Sequence, residues 1–385
     1  MNILVITFPL FSHVEIANLI SKYLKHRQTD VTYVVSENLE MLIKNPGCGK
    51  IVYQSYFRDF LYLKSSKKSF FEKKIYEFDN VLKQIYIKMV SFQPDLIIYD
   101  YESFWGKMFA DSFGIPSFCY SCTFLPPPGM IIDHGEEWGE MNAQMEKIST
   151  KYNMPYLEFS QTNSMTSKTN FICIPEVFQP NRHLFDTTYI FNGFIIKETY
   201  SIRSLNSNKN IIHIYISLGT VYSNRNTISS ILNTIEIGNS RIYLSDFLGN
   251  YDNIKAKSLE VRLKRKRLFN QRKILKITDV FISHGGINSI CDAISCNVPL
   301  LLIPQNEEQR SNSEKCVSLG IGEFYNERTS ISDQVLNLIN DKSYKEKIKM
   351  LSAVFHENQE GFYRSFELSI QSELAKLGML PWKRF

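Results

Sequence analysis

The chain begins with an apolar run, an amphipathic segment and a second apolar run. Residues 3–8 are almost entirely apolar, which is typical of a strand buried on both faces of a parallel sheet. After a loop at residues 9–12, apolar side chains recur at helical spacing on one face; they are Ile16, Leu19, Ile20, Tyr23 and Leu24. Residues 31–35 predict the next strand. This order indicates a right-handed crossover and a parallel sheet.

The same alternation continues through the first half of the chain. Residues 94–100 predict a strand that ends at Asp100, and residues 104–113 predict a helix that a glycine and a proline bring to its end. Three consecutive prolines make the segment up to residue 130 irregular, because proline can neither donate to a ladder nor continue a helix. The last strands of this half are predicted at residues 171–174 and 189–195.

A polar stretch at residues 197–210 is the predicted linker to a second half that opens as the first did. Residues 211–217 predict a strand, followed by the turn Leu218-Gly219-Thr220. Further strands are predicted at residues 241–244, 280–282 and 300–303. After Gly322 the pattern predicts helix to the end, with an apolar seam at Phe362, Phe366, Ile370, Leu374 and Leu377. The predicted domains are residues 1–196 and 211–360, with a final helix at 361–385.

Composition narrows the class of protein. A length of 385 residues favours two domains, and 44% apolar residues suffice for two cores. A net charge of +5 with 22% charged residues does not indicate a nucleic-acid-binding protein. The chain starts directly with a strand, without a signal-peptide pattern, and no apolar run reaches membrane-spanning length. We therefore expect a soluble, cytoplasmic protein.

Three local features have competing interpretations. Seven scattered cysteines indicate free thiols, and Cys119-x-x-Cys122 is predicted to be core, with zinc or redox chemistry as the alternative. The lysines near residues 64–74 are predicted to form a solvated loop, with a role at an acceptor mouth as the alternative. The basic run at residues 264–267 is predicted to be an exposed strand end, since its flanks are apolar, although such runs also occur in nucleic-acid patches.

The stretch of residues 278–322 points most directly at chemistry. It predicts a buried strand, the tight turn His284-Gly285-Gly286, and a short helix whose cap is Asn288-Ser289. The N-terminus of such a helix offers unpaired backbone N–H groups and a positive dipole end, and glycines let a ligand approach the backbone. Phosphate is the expected ligand, with His284 as a further donor. The alternative is an ordinary strand-turn-helix with an incidental histidine.

This stretch resembles the nucleotide-sugar signature of the inverting family 1 glycosyltransferases, of the bacterial macrolide and flavonoid type. The pattern is roughly H-G-G-x-N-S-x-x-E, then G-x-P, then P-x-x-x-[DE]-Q-x-x-N. The matching residues are His284, Gly285, Gly286, Asn288, Ser289, Asp292, Pro299, Pro304, Glu308, Gln309 and Asn312. The resemblance implies an α/β fold with two Rossmann-like domains facing across a cleft, the GT-B fold, and a C-terminal helix that crosses back to the first domain.

The resemblance also implies roles for individual residues. His13, after Pro9 and with Ser12 in place of the usual glycine, would be the general base, and Asp100 would be its partner. From the residues alone, His13 also fits a buried structural histidine, and Asp100 also fits a helix N-cap. The implied donor-binding residues are Thr220, Gln271, His284, Gly286, Asn288, Ser289, Asp292, Glu308 and Gln309.

Within that donor set the resemblance distinguishes three tasks. Gln271 would contact the base, although Asn270 and Leu268 depart from the family's proline and aromatic residue. Asp292 stands where the family has glutamate and would hold the ribose; alternatively, it merely complements the helix dipole. Glu308 and Gln309 would bind the hydroxyls of the sugar.

The implied reaction is transfer of a hexose, with inversion, from a UDP-sugar to a hydroxyl of a small, largely apolar acceptor. The chain contains no Asp-x-Asp motif, so neither a metal nor another cofactor is expected. Two alternatives are a nucleotide-sugar epimerase of the same fold and a protein that binds UDP-sugar without turnover. The sequence predicts no nucleic-acid partner and no membrane span.

Overall fold

A computed structural model describes residues 1–25, 29–58, 70–130, 137–191, 211–219, 225–246, 263–267 and 269–376. By its internal contacts the chain divides into two compact units. The first unit comprises Met1–Ile195 together with Asn358–Phe385, and the second comprises Ile196–Glu357. Within the described part of the chain, no helix is both long enough and apolar enough to cross a membrane.

The first unit contains a seven-stranded parallel sheet in the order β3-β2-β1-β4-β5-β6-β7. Its strands are β1 Asn2–Ile6, β2 Asp30–Ser36, β3 Gly49–Tyr53, β4 Leu96–Asp100, β5 Ser117–Ser121, β6 Asn170–Ile172 and β7 Tyr189–Phe191. Its helices are α1 Phe11–Lys25, α2 Phe70–Phe92, α3 Trp105–Ser112 and α4 Glu137–Lys151. Short 3₁₀ turns lie at Glu37–Leu42, Tyr56–Arg58, Phe159–Ser164, Glu176–Phe178 and Arg182–Leu184.

The core of the first unit follows from its apolar patterns. Strands β1 and β4 are buried over nearly their whole length, as expected for central strands covered on both faces. The stripe of α1 packs on the same core through Ile16, Ile20 and Leu24. This helix begins at Phe11, inside the predicted loop, so His13 lies in its first turn.

The second unit contains a six-stranded parallel sheet in the order β10-β9-β8-β11-β12-β13. Its strands are β8 Ile212–Ser217, β9 Ser240–Ser245, β10 Leu263–Lys266, β11 Val280–Ser283, β12 Leu300–Leu302 and β13 Gly322–Phe324. Its helices are α5 Arg225–Thr234, α6 Gln271–Leu275, α7 Ile287–Ser295, α8 Glu307–Ser318 and α9 Ile331–Asn340. The last helix, α10, runs over Lys342–Lys376, and from Asn358 it belongs to the first unit, where Phe366 packs on Phe171.

Both sheets have the strand order of a Rossmann fold. Counting from each unit's own first strand, six neighbouring strands follow the order 3-2-1-4-5-6. From the first strand, the chain adds strands toward one edge of the sheet, and from the fourth strand it adds them toward the other edge. Ligands in such sheets bind at the carboxyl ends of the first and fourth strands, where this change occurs. The switch points therefore lie between β1 and β4 in the first unit, and between β8 and β11 in the second.

The structure corrects three local predictions. Gly322 opens strand β13, so the chain is not continuously helical after it. The N-cap of α7 is Gly286, and Asn288 and Ser289 lie inside the first turn. Lys73 and Lys74 are not in a solvated loop but are buried within α2. The solvated-loop prediction was wrong for these two residues because helix α2 turns them inward, where Lys74 has an acidic partner; Lys64, Lys67 and Lys68 lie outside the described residues.

Two predictions about local structure are confirmed. The basic run lies on β10, the exposed strand at one edge of the second sheet. Charged side chains on an edge strand discourage pairing with another chain. Cys119 and Cys122 are both buried with free thiols, as predicted for core residues.

Candidate functional site

The switch point of the first unit brings His13 and Asp100 together. His13 lies in the first turn of α1, just after β1, and Asp100 is the last residue of the neighbouring strand β4. The Nδ1 of His13 is 2.8 Å from Oδ2 of Asp100, and both side chains are almost completely buried. The other carboxylate oxygen of Asp100 accepts the backbone N–H of Glu102 at 2.9 Å. Asp100 is thus not the N-cap of α3, a position that Phe104 occupies.

The electrostatics of this pair favour a proton on the imidazole. Burial acts to lower the pKa of His13, but the carboxylate of Asp100, with a further contribution from Cys122, holds that pKa well above its usual range. A carboxylate on Nδ1 fixes the ring orientation and directs Nε2 away from it. The arrangement is suited to an imidazole that takes a proton through Nε2 and becomes a stabilised imidazolium.

A partly buried ion pair lies beside the His13–Asp100 pair. The Nζ of Lys74 on α2 lies 2.7 Å from Oε2 of Glu102, and only 3% of the Lys74 side chain is exposed. Burial opposes ionisation of Glu102, but the Lys74 ammonium prevails and lowers the pKa of that carboxyl; His13 contributes in the same direction. The sequence analysis missed this pair because 28 residues separate its members.

The switch point of the second unit is built largely from backbone. Strands β8 and β11 pair in parallel and end side by side at Ser217 and Ser283. Gly219 follows β8 and Gly285 follows β11, with φ of +81° and +82°, values that residues with a side chain rarely adopt. A Cβ on Gly219 would lie 2.9 Å from Nε2 of His284, and a Cβ on Gly286 only 2.5 Å from the same atom. The glycines therefore allow the His284 ring to pack directly on both turns.

His284 is neutral in this environment. Burial lowers its pKa to about 4, against a weaker opposite effect from a hydrogen bond to the Ser217 carbonyl. Its Nδ1 lies 3.5 Å from that carbonyl oxygen, an acceptor, so Nδ1 carries the proton. In this tautomer Nε2 has a lone pair. To donate to phosphate, as the sequence predicted, the ring must change tautomer or gain a proton.

The helix α7 starts at this turn without a side-chain cap. Its N-cap is Gly286, which has no side chain, whereas α6 and α8 are capped by the side chains of Asn270 and Asn306. The first-turn N–H groups of a helix have no intrahelical acceptors. Those of Ile287, Asn288 and Ser289 follow Gly286, on which the His284 ring packs, and such free N–H groups suit an anion.

Three of the predicted donor residues form one network behind this helix terminus. Nε2 of Gln271 donates to Oδ2 of Asp292 at 2.9 Å and approaches the hydroxyl of Ser289 at 3.4 Å. The Nε of Arg272 donates to Oδ1 of Asp292 at 2.6 Å. Both oxygens of the predicted ribose-binding carboxylate are thus engaged within the protein. The family pattern gave no signal for Arg272.

The loop after β12 joins the same edge of the sheet. Gln305 donates from Nε2 to the carbonyl of Leu218 at 3.1 Å, which ties this loop to the turn after β8. Oε1 of the buried Gln309 accepts the backbone N–H of Gln305 at 2.8 Å, while Glu308 is exposed in the first turn of α8. Gln309 therefore supports the loop through its side-chain oxygen.

The structure assembles most of the predicted site residues into two groups, one in each unit. His13 and Asp100 form the first group; the second contains Gln271, His284, Gly286, Asn288, Ser289, Asp292, Glu308 and Gln309, all at or near the carboxyl edge of the second sheet. Thr220 lies outside the described residues. Sequence analysis missed Lys74, Glu102, Arg272 and Gln305, and the position of Cys122 beside His13.

Comparison with known sequences shows similarity to glycosyltransferases. A sequence model of the family described as "UDP-glucoronosyl and UDP-glucosyl transferase" matches residues 204–360. The NDP-glycosyltransferase YjiC of Bacillus subtilis (strain 168) is 22% identical over 363 residues, covering 90% of this chain and 91% of that protein. The NDP-glycosyltransferase YjiC of Bacillus licheniformis is 25% identical over 349 residues, covering 83% and 84% of the two chains.

Solved structures show the same fold. The glycotransferase of kitacinnamycin superposes with a TM-score of 0.80 at 18% identity, covering 97% of this chain and 98% of that one. CalG4, the calicheamicin glycosyltransferase, has a TM-score of 0.75 at 18% identity, with the same coverage. The predicted GT-B fold, with its two Rossmann-like domains, is confirmed.

Proposed function

We propose that this chain, a family 1 glycosyltransferase by its sequence matches, transfers a hexose from a UDP-sugar to a hydroxyl of a small, largely apolar acceptor. Glucose is the proposed sugar and inversion the proposed stereochemistry. The observation that carries the proposal is the buried His13–Asp100 pair at a Rossmann switch point. The relatives named above do not favour the epimerase or the non-catalytic binding protein.

The proposed chemistry assigns one task to each unit. In the second unit, the N–H groups at the start of α7 and the His284 ring hold the diphosphate, so negative charge on the departing UDP meets fixed dipoles. In the first unit, Nε2 of His13 takes the proton of the acceptor hydroxyl as its oxygen attacks the anomeric carbon. The bond from that carbon to the diphosphate oxygen breaks, and Asp100 stabilises the imidazolium.

No metal has a step in this proposal. The groups that would stabilise the leaving diphosphate are a helix terminus and a neutral histidine that gains or redirects a proton. Gln271 and Asp292 would bind the nucleoside, and Glu308 with the amide nitrogen of Gln309 would bind the sugar. Thr220 is proposed as a further diphosphate ligand from the family pattern alone.

The test is incubation with UDP-glucose and a panel of phenols and aliphatic alcohols, followed by mass spectrometry for a hexose adduct. His13→Ala should abolish transfer to the alcohols while UDP binding persists, and His183→Ala, at an exposed histidine, should match the wild type. Phenols should lose less, because a phenol with a pKa near 10 ionises more readily than an alcohol. Asp100→Asn should be milder than His13→Ala.

Each alternative has its own outcome. A change of the UDP-sugar without any acceptor would identify an epimerase, and binding without turnover would identify a binding protein. Near-normal glycosylation of alcohols by a folded His13→Ala variant would contradict the assignment of the base. The configuration at the anomeric carbon of the product, determined by NMR, tests inversion.

A further inference from the structure

Cys122 lies against the His13–Asp100 pair. A nitrogen of His13, a carboxylate oxygen of Asp100 and the Sγ of Cys122 all lie within 4.8 Å of one another, and the three residues are buried. The sequence pairs Cys122 with Cys119 in a Cys-x-x-Cys pattern. The structure instead brings Cys122 next to the imidazole of His13 on α1 and the carboxylate of Asp100 on β4, two elements far apart in the chain.

These three side chains are a ligand set suited to Zn²⁺. Zinc takes imidazole nitrogen and carboxylate oxygen at about 2.0–2.2 Å and thiolate sulfur at about 2.3 Å, in tetrahedral geometry. Those bond lengths separate neighbouring ligand atoms by about 3.3–3.6 Å. The Nδ1–Oδ2 separation of 2.8 Å would widen by about half an ångström. From a separation of at most 4.8 Å, the sulfur would move inward by up to about 1.2 Å, a shift within reach of side-chain rotation.

The charges also fit a divalent cation. Asp100 and a Cys122 thiolate supply two negative charges that the ion neutralises. The neighbouring Lys74 ammonium is paired with Glu102 at 2.7 Å, so its positive charge is already balanced by a carboxylate and does not oppose the ion. Three protein ligands leave a fourth position for water, which is the pattern of zinc sites with an open position.

We propose that His13, Asp100 and Cys122 form a site for Zn²⁺, and that the bound ion inhibits glycosyl transfer by occupying the imidazole that serves as base. On binding, the ion replaces the protons of His13 and Cys122 and forms bonds to nitrogen, sulfur and oxygen, with no change of oxidation state. Only the inhibition rests on the proposed function; the binding does not.

The binding test uses Co²⁺, because a thiolate ligand gives this ion an intense near-ultraviolet charge-transfer band. Chelator-treated protein is titrated with Co²⁺ and then with Zn²⁺, which should displace the band at one ion per chain. Cys122→Ser should lose the band, and Cys119→Ser, a buried thiol of the same strand region, should keep it. Asp100→Asn should keep the band but weaken Zn²⁺ binding, because it removes the carboxylate from the set of three ligands.

The outcomes separate the parts of the proposal. No band in the wild type, or a band that survives in Cys122→Ser and is lost in Cys119→Ser, would overturn the site. Cys122→Ala provides the same test if the serine variant fails to fold. In the activity assay, Zn²⁺ should inhibit wild type and Cys119→Ser reversibly, with recovery on adding chelator. It should inhibit Cys122→Ser only at much higher concentration, because that variant lacks the thiolate ligand. A band without inhibition would refute the inhibitory role alone, and a band in a protein without transferase activity would refute the proposed function and leave the site standing.

Discussion

Replacing Arg272 by alanine should sharpen the selection of ribose over deoxyribose. Arg272 and Gln271 donate to the two oxygens of Asp292 at 2.6 and 2.9 Å. A ribose hydroxyl that binds Asp292 must share or displace one of these donors. Asp292 is also one methylene shorter than the glutamate of the family pattern. The wild-type carboxylate should therefore contribute only weakly to binding of a 2′-hydroxyl.

The magnitude follows from the Arg272–Asp292 bond. A hydrogen bond to a charged group contributes about 1.5–3 kcal/mol. Solvent reaches 19% of the Arg272 side chain and 12% of the Asp292 side chain, which places this bond near the lower end of that range. Releasing the carboxylate should therefore strengthen binding of the 2′-hydroxyl by about 1.4 kcal/mol, or about tenfold in affinity.

The assay is calorimetric titration with UDP and with 2′-deoxy-UDP, which differ only at this hydroxyl. The ratio of the two affinities should rise about tenfold from wild type to Arg272→Ala. Lys273→Ala removes an equal charge from an exposed position on the same helix and should leave the ratio unchanged. In this prediction, Arg272 competes with the 2′-hydroxyl for Asp292. That competition would be refuted if the ratio is already large in the wild type, falls in Asp292→Asn and stays unchanged in Arg272→Ala.

Three further predictions follow from the charges. The acid limb of the kcat/KM profile should have its midpoint above the ordinary histidine value of about 6.5, because Asp100 raises the pKa of His13, and Asp100→Asn should move it down; an unmoved limb contradicts this. Because the folded-state pKa of His284, about 4, is below the unfolded value of about 6.5, its neutral form contributes stability above pH 6.5 that is lost as pH falls toward 4. Urea unfolding should therefore show a shallower acid loss in His284→Asn than in the wild type, and equal slopes would exclude the effect. Lys74→Met should lower the free energy of unfolding by about 3 kcal/mol, because it leaves the largely buried Glu102 carboxylate without its cation. Adding Glu102→Gln should restore part of that loss. A loss below about 0.5 kcal/mol would show that the ion pair behaves as an exposed one.

The central strands of each sheet could be predicted from sequence because central parallel strands are buried on both faces. The apolar runs that become β1, β4, β8 and β11 needed no knowledge of their neighbours, and they fix where their carboxyl ends fall. Helix starts were harder to predict. Asn288 has a better cap side chain than Gly286, but the His284 ring occupies the space where a side chain at residue 286 would lie.

Charged residues were the least predictable part of both sites. Lys74 is one of several lysines in a basic segment, and composition alone favours solvent for all of them. It is buried because Glu102, on the loop after β4, lies within hydrogen-bond distance in the folded chain. Sequence analysis missed Arg272 for a related reason. Its hydrogen bond is to Asp292, 20 residues away, and no local pattern indicates it.

The difference in specificity between the two sequence motifs has a structural cause. Both sites lie at the same topological position, between the first and fourth strands of a Rossmann sheet. In the second unit the site is made by backbone, and Gly219, Gly285 and Gly286 are needed for positive φ or for contact with a ring, so almost no other residues fit. In the first unit the site is one side-chain pair, and the topology brings its members together whatever the intervening sequence. A backbone-built site must therefore leave a dense local pattern, such as that from Gln271 to Asn312, whereas a side-chain pair leaves two isolated residues that only the fold connects.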